Sequence, residues 1–332
     1  MLMHFGIGFE FSSLRDILEA TQLAEAVGFD SCWIAEDYYF RGAFTIAAAV
    51  AARTNSLKIG TGVVNPYTRH PVLTAMEMAG LDELSGGRAF LGLGASEKFW
   101  MEDQLHIQYG KPGAALRDCV QIVRGVWRGD IFSYSGSAFQ VTDVRLQIPP
   151  LRSQIPVYLG VVRQHNLALA GEIADGVLLP LMANPPYVRY AMEHLQRGAA
   201  KAGRSLKDFP VFCYLLASVD NDRTLARLRV KPILGKFLGY LKNHPVFTCT
   251  GHADSEIEPF VEAMRRGGDR SGLVSDWMID SFAVAGNPKE CREKLTALAD
   301  AGVNGIIVFE CAGTPARDTI QECKQYLLPA FA

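Results

Sequence analysis

Long apolar runs are missing from this 332-residue sequence. The longest, TIAAAVAA at 45–52, falls far short of the roughly 20 residues that cross a bilayer, so no membrane partner is expected. Neither charge sign is in excess: Lys plus Arg number 33 and Asp plus Glu 35, for a net charge of −2. Without a basic surplus, nucleic acid and anionic membranes are poor partners. The seven cysteines are odd in number, scattered and never spaced C-x-x-C, so they carry no disulfide or zinc signature. They read as small buried hydrophobes of a reducing, cytoplasmic compartment. No histidine pair has metal-ligand spacing. G-x-S-x-G, Walker A and H-E-x-x-H are absent. The opening MLMHFGIGFEF has no basic n-region and reads as a first strand rather than a leader.

What is present is a globular balance, with 49% hydrophobic and 20% charged residues. At about 150 residues per domain the length allows two domains, but α/β barrels of this size are often one. No low-complexity linker divides the chain, so 1–332 is expected to be a single barrel domain.

Short apolar runs alternate with helical periods. The strands expected are HFGIGF at 4–9, DSCWIAE, LKIGTGVV, AFLGLG, IPVYLG at 155–160, DGVLLP, PVFCYLLASV and NGIIVFE. Helices are expected from Ser13 to Gly28 and at 43–52, 73–84, 118–127 and 186–202. In AGNPKECREKLTALADAGV, Asn287 is the cap, Pro288 the first position, Glu290 the box partner and Gly302 the stop. Residues 220–280 form the longest irregular interval. Eight strands each followed by a helix predict a (β/α)8 TIM barrel with insertions, the longest after the seventh strand. The rival, an open doubly wound sheet, needs G-x-G-x-x-G after the first strand; Phe11 stands where the third glycine belongs.

Barrel chemistry sits where strands end. Those positions hold Gly8 and Glu10, Glu36-Asp37-Tyr38, Gly62 to Pro66, Gly94 with Glu97, Gly160 with Arg163, Gln164 and His165, the run from Gly176 to Pro180, and Glu310. Arg69 and His70 read as shaping the loop before Pro71. This is a glycine-lined, carboxylate-bearing mouth, and spacing alone does not choose its reaction.

KIGTGVVNPYTRHP, LDELSGGRAFLGLG, FGIGFE, GFDSCWIAED and VAGNPKECREKLTALADAGV resemble the bacterial luciferase-like monooxygenase superfamily. The NPY form resembles its deazaflavin-dependent methylenetetrahydromethanopterin reductase branch. The resemblance implies a barrel that binds coenzyme F420, with FMN as the alternative. It implies a non-prolyl cis peptide at Gly62-Val63, in a bulge that presses on the coenzyme's tricyclic ring. It also implies cofactor contacts from Gly8, Thr61, Asn65, Gly160 and Gly176, and a phosphate over the backbone N–H groups of Arg163, Gln164 and His165. Arg163 departs from the glycine usual there, and Asp37 from a histidine. Gly8 stands where the pterin reductases carry a glutamate, and Glu10 lies two residues on. Glu36, Asp37 and Glu97 are the expected proton-handling acids.

The reading is therefore an oxidoreductase that moves a hydride between bound coenzyme and a small organic substrate. An FMN-dependent monooxygenase, a glycosidase using Glu36 and Glu97 and a non-catalytic flavin-binding barrel stay open. The resemblance also implies a homodimer, with the alanine-rich 43–52 helix either at its interface or packed inside.

Overall fold

The β1 to α13 elements below come from a computed structural model that describes residues 3–9, 12–37, 39–309 and 314–331. Glu10, Tyr38, Glu310 and Cys311 lie outside the described residues. In chain order the elements are β1 (His4–Phe9), α1 (Leu14–Val27), β2 (Ser31–Ile34), α2 (Ala43–Ala51), β3 (Lys58–Thr61), α3 (Pro71–Ser85) and β4 (Ala89–Gly94). After a π-helical turn at Phe99–Gln104 come α4 (Pro112–Val126), β5 (Phe132–Ser135), β6 (Gln140–Val144), β7 (Val157–Gly160), α5 (Gln164–Ile173), β8 (Gly176–Leu179) and α6 (Pro185–Lys201). The chain continues through β9 (Val211–Val219), α7 (Arg223–Phe237), α8 (Pro245–Thr248), α9 (Glu258–Arg266), α10 (Asp276–Phe282) and β10 (Val284–Gly286). It ends with α11 (Pro288–Asp300), β11 (Gly305–Phe309), α12 (Ala316–Tyr326) and α13 (Leu328–Phe331).

The eight expected strands are β1, β2, β3, β4, β7, β8, β9 and β11, and the fold is the expected (β/α)8 barrel. Local signals set the helix ends. Ser13 Oγ accepts from the Asp16 N–H, and Gly28 closes α1 at φ 98° in the left-handed region. Asn287 and Glu290 complete a full capping box on α11.

Two compact units divide the chain. One comprises Met1–Phe29, Leu179–Glu193 and Val211–Ala332. Its parallel strands run β10-β9-β11-β1. The other comprises Asp30–Leu178 and His194–Pro210, with parallel order β2-β3-β4-β7-β8. Every residue of β2 and β8 is buried, as continuous apolar runs in a covered parallel sheet require.

Three features differ from expectation. Residues 220–280 are largely helical. Asp222 caps α7 by accepting from the Thr224 and Leu225 N–H groups, and Pro232 inside that helix disguises it as a break. Pro245 and Pro259 read as breakers too, but they occupy first-turn positions of α8 and α9, where the missing N–H costs nothing. Buried Arg227 then ties α7 to α10 through Asp280 (2.6 Å) and Asp276 (3.1 Å), an attraction no local pattern displays. The second difference is the antiparallel hairpin β5–β6. Asp118 on α4 holds it, accepting from the Tyr134 hydroxyl and the Ala138 and Phe139 N–H groups. The third is β10, a short parallel partner of β9.

Among the described residues no helix is long and apolar enough to cross a membrane, and no group of three His, Cys, Asp or Glu side chains is placed to hold a metal ion. Of the six described cysteines, all free, only Cys249 is not buried. Burial pushes the thiols of Cys32, Cys119 and Cys213 well up and that of Cys291 to about 12, so they stay protonated and unreactive.

Candidate active site

The expected site residues around β3, β4 and β7 converge within one unit. Thr61 ends β3, fully buried. Its hydroxyl donates to the Gly92 carbonyl and accepts from the Gly92 N–H, both at 2.9 Å. That hydroxyl joins β3 to β4. Pairing resumes at Val64, whose N–H reaches the Gly92 carbonyl at 3.0 Å and whose carbonyl accepts from Gly94 at 2.9 Å. Between them Gly62 and Val63 form the expected bulge, joined by the expected cis peptide bond.

The bulge is seated by its own side chain. A Cβ on Gly94 would lie 2.5 Å from Val63 Cγ2, and one on Gly160 would lie 2.8 Å from Val63 Cγ1. Gly94 and Gly160 are register partners at the ends of β4 and β7. Val63 therefore fills a notch that only two paired glycines leave open.

Past the bulge, Asn65 Oδ1 accepts from the Tyr67 and Thr68 N–H groups at 2.9 and 3.0 Å. This is an Asx turn, so the side-chain oxygen shapes the loop rather than waiting for a ligand. The turn delivers Arg69, whose Nη1 reaches Glu36 Oε1 at 2.7 Å and whose guanidinium lies over the Phe44 ring at 4.9 Å. Glu36 Oε2 accepts from the Ala43 N–H at 2.8 Å, capping α2 where Gly42 has no side chain to do so. Both oxygens of Glu36 are thus engaged, and the two bonds link the loop after β2 to the start of α2 and to the loop before α3. Arg69 is the partner that loop reading missed; the two stand 33 positions apart, and nothing local marks the pair. Asp37 lies beside Glu36, part-exposed, its carbonyl accepting from Phe40. His70 caps α3, with Nδ1 accepting from Val72 at 3.3 Å, and packs edge-on against Phe139 of the hairpin.

Glu97 is differently placed. Although the residue as a whole is exposed, enough protein surrounds its carboxyl for desolvation to raise its pKa. The Arg163 charge opposes that rise, so the predicted acid and the predicted anion-binding arginine lie within electrostatic reach of each other. Arg163 stands at the N-cap of α5, where no side chain caps the helix. Gln164 and His165 follow in the exposed first turn. An uncapped helix start beside an arginine suits an anionic group.

Tyr67 and Tyr109, also missed, pack with ring centroids 5.1 Å apart. The Tyr109 hydroxyl donates to the Ser96 carbonyl at 2.7 Å, one residue before Glu97. The Tyr67 hydroxyl is buried and has no hydrogen-bond partner among the described residues. The NPY motif was the available signal for Tyr67.

Two further expected cofactor glycines sit closely against side chains. Gly176 begins β8, and a Cβ there would overlap the Tyr158 ring. It sits at the start of its strand, the end where a barrel keeps stability rather than chemistry, and its glycine is needed for ring packing. Gly8 lies in the other unit. A Cβ there would meet Ile307 at 3.0 Å and Tyr214 at 3.1 Å.

The luciferase-like monooxygenase family model matches residues 4–305. The chain is 33% identical to 5,10-methylenetetrahydromethanopterin reductase from Archaeoglobus fulgidus, over 98% of this chain and 99% of the relative. It is similar to the solved coenzyme F420 dependent tetrahydromethanopterin reductase from Methanopyrus kandleri, with a TM-score of 0.91 and 28% identity over 100% of both chains. A type II Baeyer-Villiger monooxygenase from Pseudomonas putida, solved with FMN, shares the fold alone at a TM-score of 0.74 and 17% identity, over 100% of this chain and 99% of that one. Strand count, bulge and full-length likeness agree: the chain belongs to the luciferase-like monooxygenase family.

Proposed function

We propose that this chain is a coenzyme F420-dependent oxidoreductase that transfers a hydride between bound coenzyme and a small organic substrate. The observation that carries the reading is the seated Gly62-Val63 bulge, with Glu97 within electrostatic reach of Arg163 at the uncapped start of α5. An anion site and a carboxyl that keeps its proton to higher pH share one unit with the seated bulge. The donors fit the group: Arg163 and the first-turn N–H groups suit a phosphate, and the buried Tyr67 hydroxyl suits an acceptor oxygen. Coenzyme F420, when bound, supplies the hydride chemistry.

The chain's own residues do the rest. Val63, with Gly62 beside it and Gly94 and Gly160 behind it, provides a fixed surface for a planar ring. Arg163, Gln164 and His165 hold the anionic end. Glu97 holds the proton that accompanies hydride transfer, with Asp37 as a second acid. Glu36 positions the loops through Arg69 and Ala43. Gly8 carries no acid, which favours a small organic substrate other than the pterin.

Titrating the apoprotein with coenzyme F420 and with FMN, followed by fluorescence, tests the reading. Tighter binding of coenzyme F420 is expected, and binding of neither would overturn it. Tighter FMN binding would move the assignment to the monooxygenase side of the family.

The proposed setting is a cytoplasmic homodimer of a single barrel domain. Six residues of α2 are buried, from Ala43 to Ala51, so it packs as an inner helix. Helix α3 instead leaves Leu73, Met76 and Leu84 about half exposed on one face, with open space above Gly80. A contiguous apolar stripe of that kind favours a self-contact.

A further inference from the structure

Five buried side-chain polar atoms lack a hydrogen-bond partner among the described residues: Tyr67 Oη, Ser218 Oγ, Arg227 Nε, Ser275 Oγ and Thr319 Oγ1. Four lie in the unit built on β9, β11 and β1. Only Tyr67 lies in the unit that holds Glu97, Arg163 and the Val63 bulge.

An unmet buried hydroxyl penalises the protein that carries it, because the group has given up water and gained nothing. Phenylalanine would fill the same space without that cost. The rest of Tyr67 is well supported. Asn65 fixes its backbone, and Tyr109, itself anchored on Ser96, fixes its ring. Everything about the residue is positioned by its neighbours except the hydroxyl, which no described residue engages. We propose that the Tyr67 hydroxyl is a coenzyme-recognition donor, bonding to an acceptor oxygen of the bound deazaflavin. It is a positioning residue, and no proton passes through it. Burial pushes its pKa up to about 12, so it stays a neutral donor across the working range. This inference rests on the coenzyme reading above and assigns one further contact to it.

The test compares Tyr67→Phe with Tyr109→Phe and the unaltered protein. Two readouts are used, the melting temperature of each apoprotein and the coenzyme F420 affinity from fluorescence. Tyr109→Phe loses an observed bond and should melt lower. Tyr67→Phe should melt at the same temperature or higher, yet bind coenzyme F420 about tenfold more weakly, the size of one good hydrogen bond. A second titration uses 8-hydroxy-5-deazariboflavin, which keeps the ring but lacks the phosphate. A loss that persists places the acceptor on the ring or ribityl portion, and a loss that vanishes places it at the phosphate end; either supports the donor role. A Tyr67→Phe protein that melts higher and binds coenzyme F420 within twofold of the unaltered one makes the hydroxyl a packing defect and overturns the proposal. So does one that melts lower or fails to fold, because the hydroxyl is then bonded within the fold. If the unaltered protein binds no coenzyme, the functional reading falls first and this inference with it.

Discussion

The loop after β2 and the loop after β4 each carry one glutamate just past the strand end, and the two carboxyls live in different surroundings. Glu36 meets a guanidinium at 2.7 Å and a helix N–H at 2.8 Å. Glu97 meets partial desolvation, opposed only by the charge of Arg163. The first arrangement satisfies a carboxylate, so its free energy goes into fixing loop geometry. The second leaves the acid form favoured to higher pH than usual, the condition for delivering a proton. Residue type and place along a strand do not assign a role; the partners do.

Glu97→Gln is the sharpest way to break this contrast. It should fold normally, bind coenzyme and lose about a hundredfold in turnover, measured with reduced coenzyme F420 as the donor. If turnover survives while Glu36→Gln abolishes it, the two roles are exchanged.

Arg69→Ala comes next. It strips Glu36 of its cation in a largely buried setting and should cost about 2 kcal/mol in urea unfolding. A second-site Glu36→Gln should recover part of that loss.

The pH behaviour of Glu97 gives a subtler test. Its folded pKa is raised, so its contribution to stability is fully present below the ordinary glutamate value and is lost as pH rises through the raised one. Activity that needs the protonated acid should fall over the same upper limb. Arg163→Gln removes the charge that holds the value down, so the limb of the rate profile should move to higher pH. An unmoved limb would separate Glu97 from Arg163.

The smallest effect concerns the exposed face of α3. Leu84→Glu should shift the oligomer toward monomer in light scattering while leaving coenzyme affinity nearly unchanged, which separates assembly from the site.

Much of the fold was legible because it rests on repetition. Eight short apolar runs, each followed by a helical period, state a barrel without reference to any distant contact. What was hidden depends on long range or on disguise. Arg69 and Glu36 are separated by an entire strand, and Arg227 reaches acids about fifty positions away. Pro232, Pro245 and Pro259 concealed helices they begin or tolerate. In the site, the cis bond at Gly62-Val63 was legible from the motif, while the roles of Glu97 and Arg163 belong to the proposed function. For Thr61, Asn65 and Gly176, nearness to a strand end says nothing of the hydrogen bonds and ring packing in which each is engaged. Tyr67 was quoted only as part of a motif, since an unmet hydroxyl becomes visible only once all its neighbours are placed.

The seating of Val63 has a consequence of its own. One methyl rests over Gly160 and the other over Gly94, so a single residue of the β3 bulge touches the ends of two further strands at once. The two methyls therefore act as different gauges: Cγ1 follows β7, and Cγ2, between Gly94 and Gly160, follows chiefly β4. In a methyl-labelled sample their two resonances would together register, without any substrate, how the strand ends shift when the coenzyme arrives.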